Sequence, residues 1–166
     1  MCIRDRVEGD PLSQEPLDHL GPDADAVDRA AFAEALVARN QRIHGFLREQ
    51  HGVAGLGRML ANEICHRAKL SPFAMSAKLS DDEVDRLYAA TGDCIADALA
   101  HERTLSEMSK SAHRPGAVHR RKGDLCPVCG DTVRAVEYSS YEVDYCPTCQ
   151  TDGKVLADNT TSKFLK

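Results

Sequence analysis

The sequence predicts a mainly α protein: a small helical bundle followed by a β-hairpin that a metal ion holds together. Two CxxC pairs near the C-terminal end, separated by sixteen residues, predict the metal-held hairpin. Upstream of them, apolar residues recur at helical spacing over several segments, which predicts the bundle. A stretch with three glycines in six residues, from Gly52 to Gly57, separates two of these segments, so we expect a double turn between two helices.

The length of the chain and the distribution of its charges do not exclude a nucleic-acid partner. The 166 residues suffice for one ordinary domain or two small ones, and the net charge is −5. Residues 1–38 carry nine acidic and three basic side chains, so they contribute −6 and the remainder +1. A basic stretch, Arg114 with residues 119–122, precedes the first CxxC pair. Because local potential decides binding, the overall acidity does not exclude DNA. No apolar run approaches the roughly 20 residues of a membrane span, so no membrane partner is expected.

Residues 1–25 are predicted to be a non-native start followed by an interdomain linker. Residues 1–6 have neither apolar periodicity nor a helix cap, and residues 7–25 are rich in Pro, Gly and Asp. A flexible native N-terminus is the alternative interpretation.

Residues 26–110 are predicted to form the helical domain. The first helix is expected over residues 26–39, with these side chains facing inward: Val27, Ala30, Ala31, Leu36 and Val37. Helices over residues 43–50 and 58–69 flank the glycine-rich turn. Ser80 and Glu83 have the spacing of a capping box, which predicts the start of the longest helix.

The start of the helix after the glycines is a candidate anion site. Gly55 and Gly57 flank this start, so free N–H groups and the positive end of the helix dipole point outward. Arg58 adds a cationic donor in the first turn. DNA phosphate is the obvious anion for such a site, whereas the alternative is an ordinary loop between helices.

Residues 111–166 are predicted to be a basic linker and a zinc finger. Cys126, Cys129, Cys146 and Cys149 match a closed tetrahedral site for one structural zinc ion. Strands are expected over residues 132–137 and 141–145, with Ser139 and Ser140 at the tip. Two disulfides are the alternative, and a redox pair is less consistent because neither CxxC lies in a strand–helix unit. Cys2, Cys65 and Cys94 have no pairing pattern, which is typical of a reducing cytoplasm.

These segments resemble the formamidopyrimidine-DNA glycosylase / endonuclease VIII family over about residues 15–166. Residues 43–50, 53–57, 61–64 and 71–72 resemble its helix-two-turn-helix core, and residues 20–23 resemble its interdomain linker. Residues 126–130 and 145–150 resemble its zinc finger. Both halves occur in the order that the family has.

The resemblance implies base-excision repair of damaged double-stranded DNA. Family members flip the lesion nucleotide out of the duplex, cleave the glycosidic bond and nick the strand by β-elimination. Their nucleophile is the amine of an N-terminal proline, and the glutamate that follows it acts as acid and base. The resemblance and the basic run together predict these DNA-binding residues: His44, Gly55, Gly57, Arg58, Arg120, Arg121, Lys122 and Tyr141.

Three of these positions depart from the family. His44 stands where the family usually has Lys, Arg58 where it has Asn, and Tyr141 where it has an Arg at the hairpin tip. Cys2 and Ile3 follow Met1 in place of Pro and Glu, so no catalytic residue is assigned. We therefore expect the C-terminal, DNA-binding portion of a monomeric glycosylase and AP lyase of the bacterial cytoplasm, without its N-terminal catalytic half.

Two other functions remain open. One is a stand-alone helical and zinc-ribbon module that binds DNA or a protein without catalysis. The other is a different enzyme that uses His and Cys side chains. No ligand pairing is evident for the remaining histidines, which we interpret as surface or internally satisfied groups: His19, His51, His66, His101, His113 and His119.

Without a proline nucleophile, residues 1–166 are expected not to form a Schiff base efficiently with abasic DNA. Borohydride reduction of a mixture with abasic duplex, followed by denaturing electrophoresis, measures the trapped complex. An efficient cross-link would refute this expectation.

Overall fold

The computed structural model describes residues 10, 13, 15, 17–107 and 114–156. Five α-helices and two strands occur in this part of the chain: α1 (Arg29–Ala38), α2 (Ile43–Arg48), α3 (Arg58–Arg67), α4 (Asp81–Glu102), β1 (Arg134–Glu137), β2 (Glu142–Tyr145) and α5 (Pro147–Gln150). The fold is therefore a small helical bundle followed by a β-hairpin, as predicted. The expected non-native start, residues 1–6, lies outside the described residues. No helix in the described part is long and apolar enough to cross a membrane.

The bundle packs α1 to α4 around one apolar core. Phe32, Leu36 and Phe46 are fully buried, and the ring of Phe32 meets that of Phe46 edge-on with centroids 5.8 Å apart. The predicted inward face of α1 was partly wrong, because Ala30 and Ala31 are exposed and Val37 is 65% exposed. Phe32 supplies the large apolar surface on this helix that the small alanines lack, so it and Leu36 define the buried face.

Side chains cap the starts of α1 and α4. Asp28 accepts a hydrogen bond from the Ala31 amide at 2.9 Å and thereby begins α1. The predicted capping box of α4 is confirmed. The Ser80 amide donates to Glu83 Oε2 at 2.8 Å, and the Glu83 amide donates to Ser80 Oγ at 3.3 Å. These bonds satisfy amides that would otherwise lack partners in the first turn.

The segment before α1 packs along the glycine-rich turn. The amide of Gly21 donates to the carbonyl of Gln50 at 2.8 Å, and the amide of Ala54 donates to the carbonyl of Pro22 at 2.8 Å. The side chains of Ala24 and Val27 belong to the core. This part of the predicted linker is therefore bonded to the turn that precedes α3.

The two strands form the predicted hairpin. They pair antiparallel from Arg134 opposite Tyr145 to Glu137 opposite Glu142. The Tyr138 amide donates to the Tyr141 carbonyl at 2.8 Å, which leaves Ser139 and Ser140 at the tip.

Helix α3 joins the bundle to the hairpin through polar side chains. The carboxylate of Glu63 accepts three backbone N–H bonds, from Ala117, Val118 and His119, at 2.7 to 3.0 Å. A carboxylate that accepts several amides forms strong, charge-assisted bonds. The loop that leads into the zinc-finger segment is thus bound to α3 one turn past its start.

Candidate nucleic-acid interface and metal centre

The four cysteines of the two CxxC pairs lie together at the base of the hairpin. The Sγ atoms of Cys129 and Cys146 are 3.3 Å apart, and those of Cys126 and Cys149 are 3.9 Å apart. These separations join one pair to the other, and they are much longer than a disulfide S–S bond of about 2.05 Å. All four are free thiols in the structure, which argues against the disulfide alternative.

The cysteine cluster fits a tetrahedral zinc ion. Zn–S bonds of about 2.3 Å in a tetrahedral site put neighbouring sulfurs about 3.8 Å apart, close to the observed distances. Four thiol ligands and a closed geometry favour a structural role for the metal.

The other described cysteines belong to the core. Cys65 is fully buried, and Cys94 is 5% exposed. Burial raises the pKa of both thiols, that of Cys94 to about 11, so neither is a thiolate at neutral pH. They give no support to a nucleophilic enzyme that uses these side chains.

The glycine-rich turn leads into α3 as predicted, but the Gly55 amide is not free, because it donates to Gln50 Oε1 at 2.8 Å. Gly55 has φ +89°, a conformation that side chains rarely adopt, and Gly57 is the N-cap residue of α3. Arg58 occupies the first position of the helix and is exposed. Free amides at the helix start and a cationic side chain therefore lie on the surface together.

Tyr141 packs between the zinc-finger segment and the helical bundle. Its ring stacks on Tyr138 with centroids 4.6 Å apart and an interplanar angle of 9°. The guanidinium carbons of Arg48 and Arg58 lie 4.7 and 5.4 Å from the centre of the Tyr141 ring. Cation–π contacts at these distances hold both arginines near the hairpin tip. Arg42 extends the cluster by donating to the Tyr138 hydroxyl at 3.2 Å.

Most of the predicted DNA-binding residues line two adjoining grooves. A groove of about 540 Å³ is lined by Gly55, Gly57, Arg58 and Arg120 among others. A second, of about 340 Å³, shares Arg58 and Arg120 with the first and reaches Tyr141. Five of the eight predicted residues therefore share one surface.

The other three predicted residues do not line either groove. Arg121 donates to Asp124 at 3.2 Å and to the Gly116 carbonyl at 3.1 Å, and Lys122 is paired with Glu137. His44 is only 5% exposed. Burial, with the charge of Arg48 as the next cause, lowers the pKa of His44 to about 4. His44 is therefore a neutral, buried side chain at pH 7, and the expectation of a charged phosphate donor there is not supported.

A buried carboxylate fixes the backbone of Arg120. Asp144 is fully buried, and its Oδ2 accepts hydrogen bonds from the Arg120 amide at 2.9 Å and from Asn62 Nδ2 at 3.0 Å. His119 Nδ1 lies 3.4 Å from the same oxygen and 3.0 Å from Asn62 Nδ2. Arg120 has φ +58°, which is unusual for a residue other than glycine. The bonds to Asp144 hold this backbone in place and direct Arg120 toward the grooves.

The sequence did not reveal Arg42, Arg48 and Tyr138 as members of this surface. The only signal was a pair of arginines six residues apart at the two ends of a short amphipathic helix. It also missed His66, whose Nε2 lies 3.3 Å from Cys126 Sγ and which was interpreted as a surface or internally satisfied group. These residues come together through the packing of α2, α3 and the hairpin, which spacing along the chain does not encode.

Two family models match separate parts of the chain. Residues 17–110 match the family model "Formamidopyrimidine-DNA glycosylase H2TH domain", and residues 125–150 match the model "Transcription factor zinc-finger". An uncharacterized formamidopyrimidine-DNA glycosylase-like protein of Mycobacterium tuberculosis is 42% identical over 151 residues, covering 89% of this chain and 94% of that protein.

Longer relatives match over part of their length. The formamidopyrimidine-DNA glycosylase of Thermus thermophilus is 33% identical, covering 81% of this chain and 54% of the relative. The crystal structure of the MutM (Fpg) protein from the same organism superimposes with a TM-score of 0.66 at 31% identity, over 81% of this chain and 55% of that one. A Lactococcus lactis Fpg complex with abasic-site DNA shares the fold, with a TM-score of 0.69 at 23% identity, over 80% and 52% of the two chains. This chain thus spans about half the length of these glycosylases.

Burial of neutral His44 makes stability depend on pH. The imidazole binds a proton with a pKa of about 6.5 when unfolded and about 4 when folded, so the unfolded chain binds more protons between these values. Its contribution is present above pH 6.5 and is lost as the pH falls toward 4. From pH 7 to pH 5 we expect the free energy of unfolding to fall by about 2 kcal/mol from this group alone.

Urea unfolding of the wild-type and His44→Gln proteins at both pH values measures this loss. Protonation of the cysteine cluster affects both proteins alike, so the difference between them isolates His44. An identical pH dependence in the two proteins would contradict the expectation.

Proposed function

The chain belongs to the formamidopyrimidine-DNA glycosylase family, and from this premise we propose that it binds damaged double-stranded DNA through the start of α3 and the hairpin tip. The observation that carries this proposal is the convergence of Arg42, Arg48, Arg58 and Arg120 around the exposed start of α3. Four guanidinium groups and a helix start make a surface for a polyanion.

The charges of these four arginines are not neutralised by carboxylates of the described chain. Arg29, Arg67 and Arg86 lie elsewhere and each has an Asp oxygen within 2.6 to 3.1 Å. Within the described chain, no such ion pair is formed by the four arginines of the proposed surface. Their charge is thus available to phosphate, which guanidinium groups bind through two parallel hydrogen bonds.

Gly57 supports a close approach of the ligand backbone. Its φ of −106° is open to any residue, and a Cβ built there would meet nothing within 4 Å. The fold itself therefore gives no reason for glycine at this position. A bare backbone at the helix start lets a phosphate reach the free amides, as anion sites at helix starts require.

We propose that one structural zinc ion, bound by the four cysteines, stabilises the hairpin at its base. The ion fixes the base of the hairpin, so that Tyr141 and Tyr138 keep the position that holds the arginines. Zinc contributes to binding by orienting this tip, and the proposed DNA contacts come from side chains of the protein.

Beyond DNA binding, the more specific proposal is that the chain acts in base-excision repair, as the DNA-binding portion of a glycosylase and AP lyase. The relatives named formamidopyrimidine-DNA glycosylase are about twice as long as the segment that they share with this chain. A second candidate, a DNA-binding module without glycosylase chemistry, is favoured by the M. tuberculosis relative, because this chain covers 94% of it. Incubation of the full-length product of the native gene with duplexes that contain an oxidised purine or an abasic site distinguishes the two: strand cleavage supports the first, and binding without cleavage supports the second.

Replacement of Arg58 by Ala is expected to weaken binding to an abasic duplex and to flatten its salt dependence. Loss of one phosphate contact reduces the slope of log K against log salt by about one unit. Fluorescence anisotropy at several salt concentrations measures both quantities.

Arg29→Ala is the matched control, because Arg29 is paired with Asp85 on α1 and α4 and lies outside the proposed surface. Its slope should equal that of the wild type. Wild-type affinity that does not change with salt, or equal effects of the two substitutions, would rule the surface out.

A further inference from the structure

His66 lies against the cysteine cluster, although it belongs to the helical bundle. It occupies the last turn of α3, is 5% exposed, and has its Nε2 atom 3.3 Å from Cys126 Sγ. A ligating nitrogen of His66 and the sulfurs of Cys126, Cys146 and Cys149 all lie within 4.8 Å of one another. The metal centre therefore has a fifth polar neighbour, supplied by a different part of the fold.

We infer that His66 is a positioning residue of the metal centre, which donates its Nε2–H to the Cys126 thiolate. A structural zinc ion takes four ligands, and the four cysteines of the hairpin supply them. The imidazole then binds a ligand sulfur from outside the coordination sphere.

Burial gives this hydrogen bond its importance. Four thiolates carry more negative charge than one Zn²⁺ ion neutralises, and the Cys126 side of the cluster is closed to solvent, with the residue 2% exposed. Where solvent is excluded, the charge on a buried sulfur that the metal leaves uncompensated is stabilised by donors that the protein provides. His66 is a side-chain donor to this sulfur from α3, and groups of this kind orient ligands and strengthen metal binding.

The bond also connects the metal to the proposed DNA-binding helix. Arg58 begins α3 and His66 lies in its last turn, so one ten-residue helix contacts the grooves at one end and the metal centre at the other. Gln150 makes a second connection: its Nε2 donates to the Leu70 carbonyl at 2.9 Å, and its Oε1 accepts from the Cys146 amide at 2.8 Å. Loss of the ion should therefore change the surroundings of the C-terminal end of α3 as well as the hairpin.

Competition with a chromophoric chelator tests the role of His66 in the zinc-loaded protein. His66→Phe, which removes the donor, is expected to lower zinc affinity by roughly 10- to 100-fold, the range found for donors outside the coordination sphere. His51→Phe, which removes an exposed imidazole beside the glycine-rich turn, should leave zinc affinity unchanged. Equal affinities of the wild type and His66→Phe would overturn the inference.

A second measurement uses only the wild-type protein, so it tests the inference even if the variant fails to fold. In the protein loaded with ¹¹³Cd, the N–H···S bond should give a scalar coupling between the metal and the Hε2 proton of His66, and the cadmium shift should be that of four sulfur ligands. A cadmium shift typical of three sulfurs and one nitrogen would show direct ligation and refute the inference, as would absence of the coupling. Neither measurement involves DNA, so the outcome is independent of the proposed function.

Discussion

Polar side chains of α3 hold the zinc-finger segment against the helical bundle. Glu63 binds three amides of the loop before the hairpin, Asn62 binds Asp144 of β2, and His66 contacts Cys126. These three groups lie within two turns of one helix, and each reaches a different part of the zinc-finger segment. Buried polar contacts of this kind specify one arrangement, because a displaced carboxylate or amide would be left without a partner. The helical bundle and the hairpin therefore form one body with a single shared surface.

That surface combines groups that neither half has alone. The bundle supplies Arg48, Arg58 and the free amides at the start of α3, and the hairpin supplies the stacked rings of Tyr138 and Tyr141. Tyr141 stands at the tip position where the family usually has an arginine. Its ring contacts two arginines of the bundle, Arg48 and Arg58. The guanidinium charge thus comes from the other side of the groove. A phosphate backbone that lies across both halves would meet arginines whose side chains are already ordered, which lowers the entropy lost on binding.

The sequence predicted the local features of this site well, because each depends on neighbouring residues. The two CxxC turns, the capping box at Ser80 and the glycine-rich turn each need only a few consecutive positions, and the structure contains the cysteine cluster, the capping box and the turn. Features that depend on packing were missed or wrong. His44 is buried by the contact of α2 with its neighbours, and Arg48 belongs to the proposed surface through its contact with Tyr141 of the hairpin. Two of the three errors on the predicted face of α1 have a related cause: Ala30 and Ala31 match the helical period but contribute little apolar area.

The central claim is that DNA lies across the start of α3 and the hairpin tip at the same time. Hydrogen–deuterium exchange with and without an abasic duplex tests this most directly, because it reports on both segments in one experiment. Binding across both segments should slow exchange in residues 55–60 and in residues 138–142 together and leave the exposed face of α4 unaffected. Protection of only one of these segments, or protection on α4 alone, would contradict it.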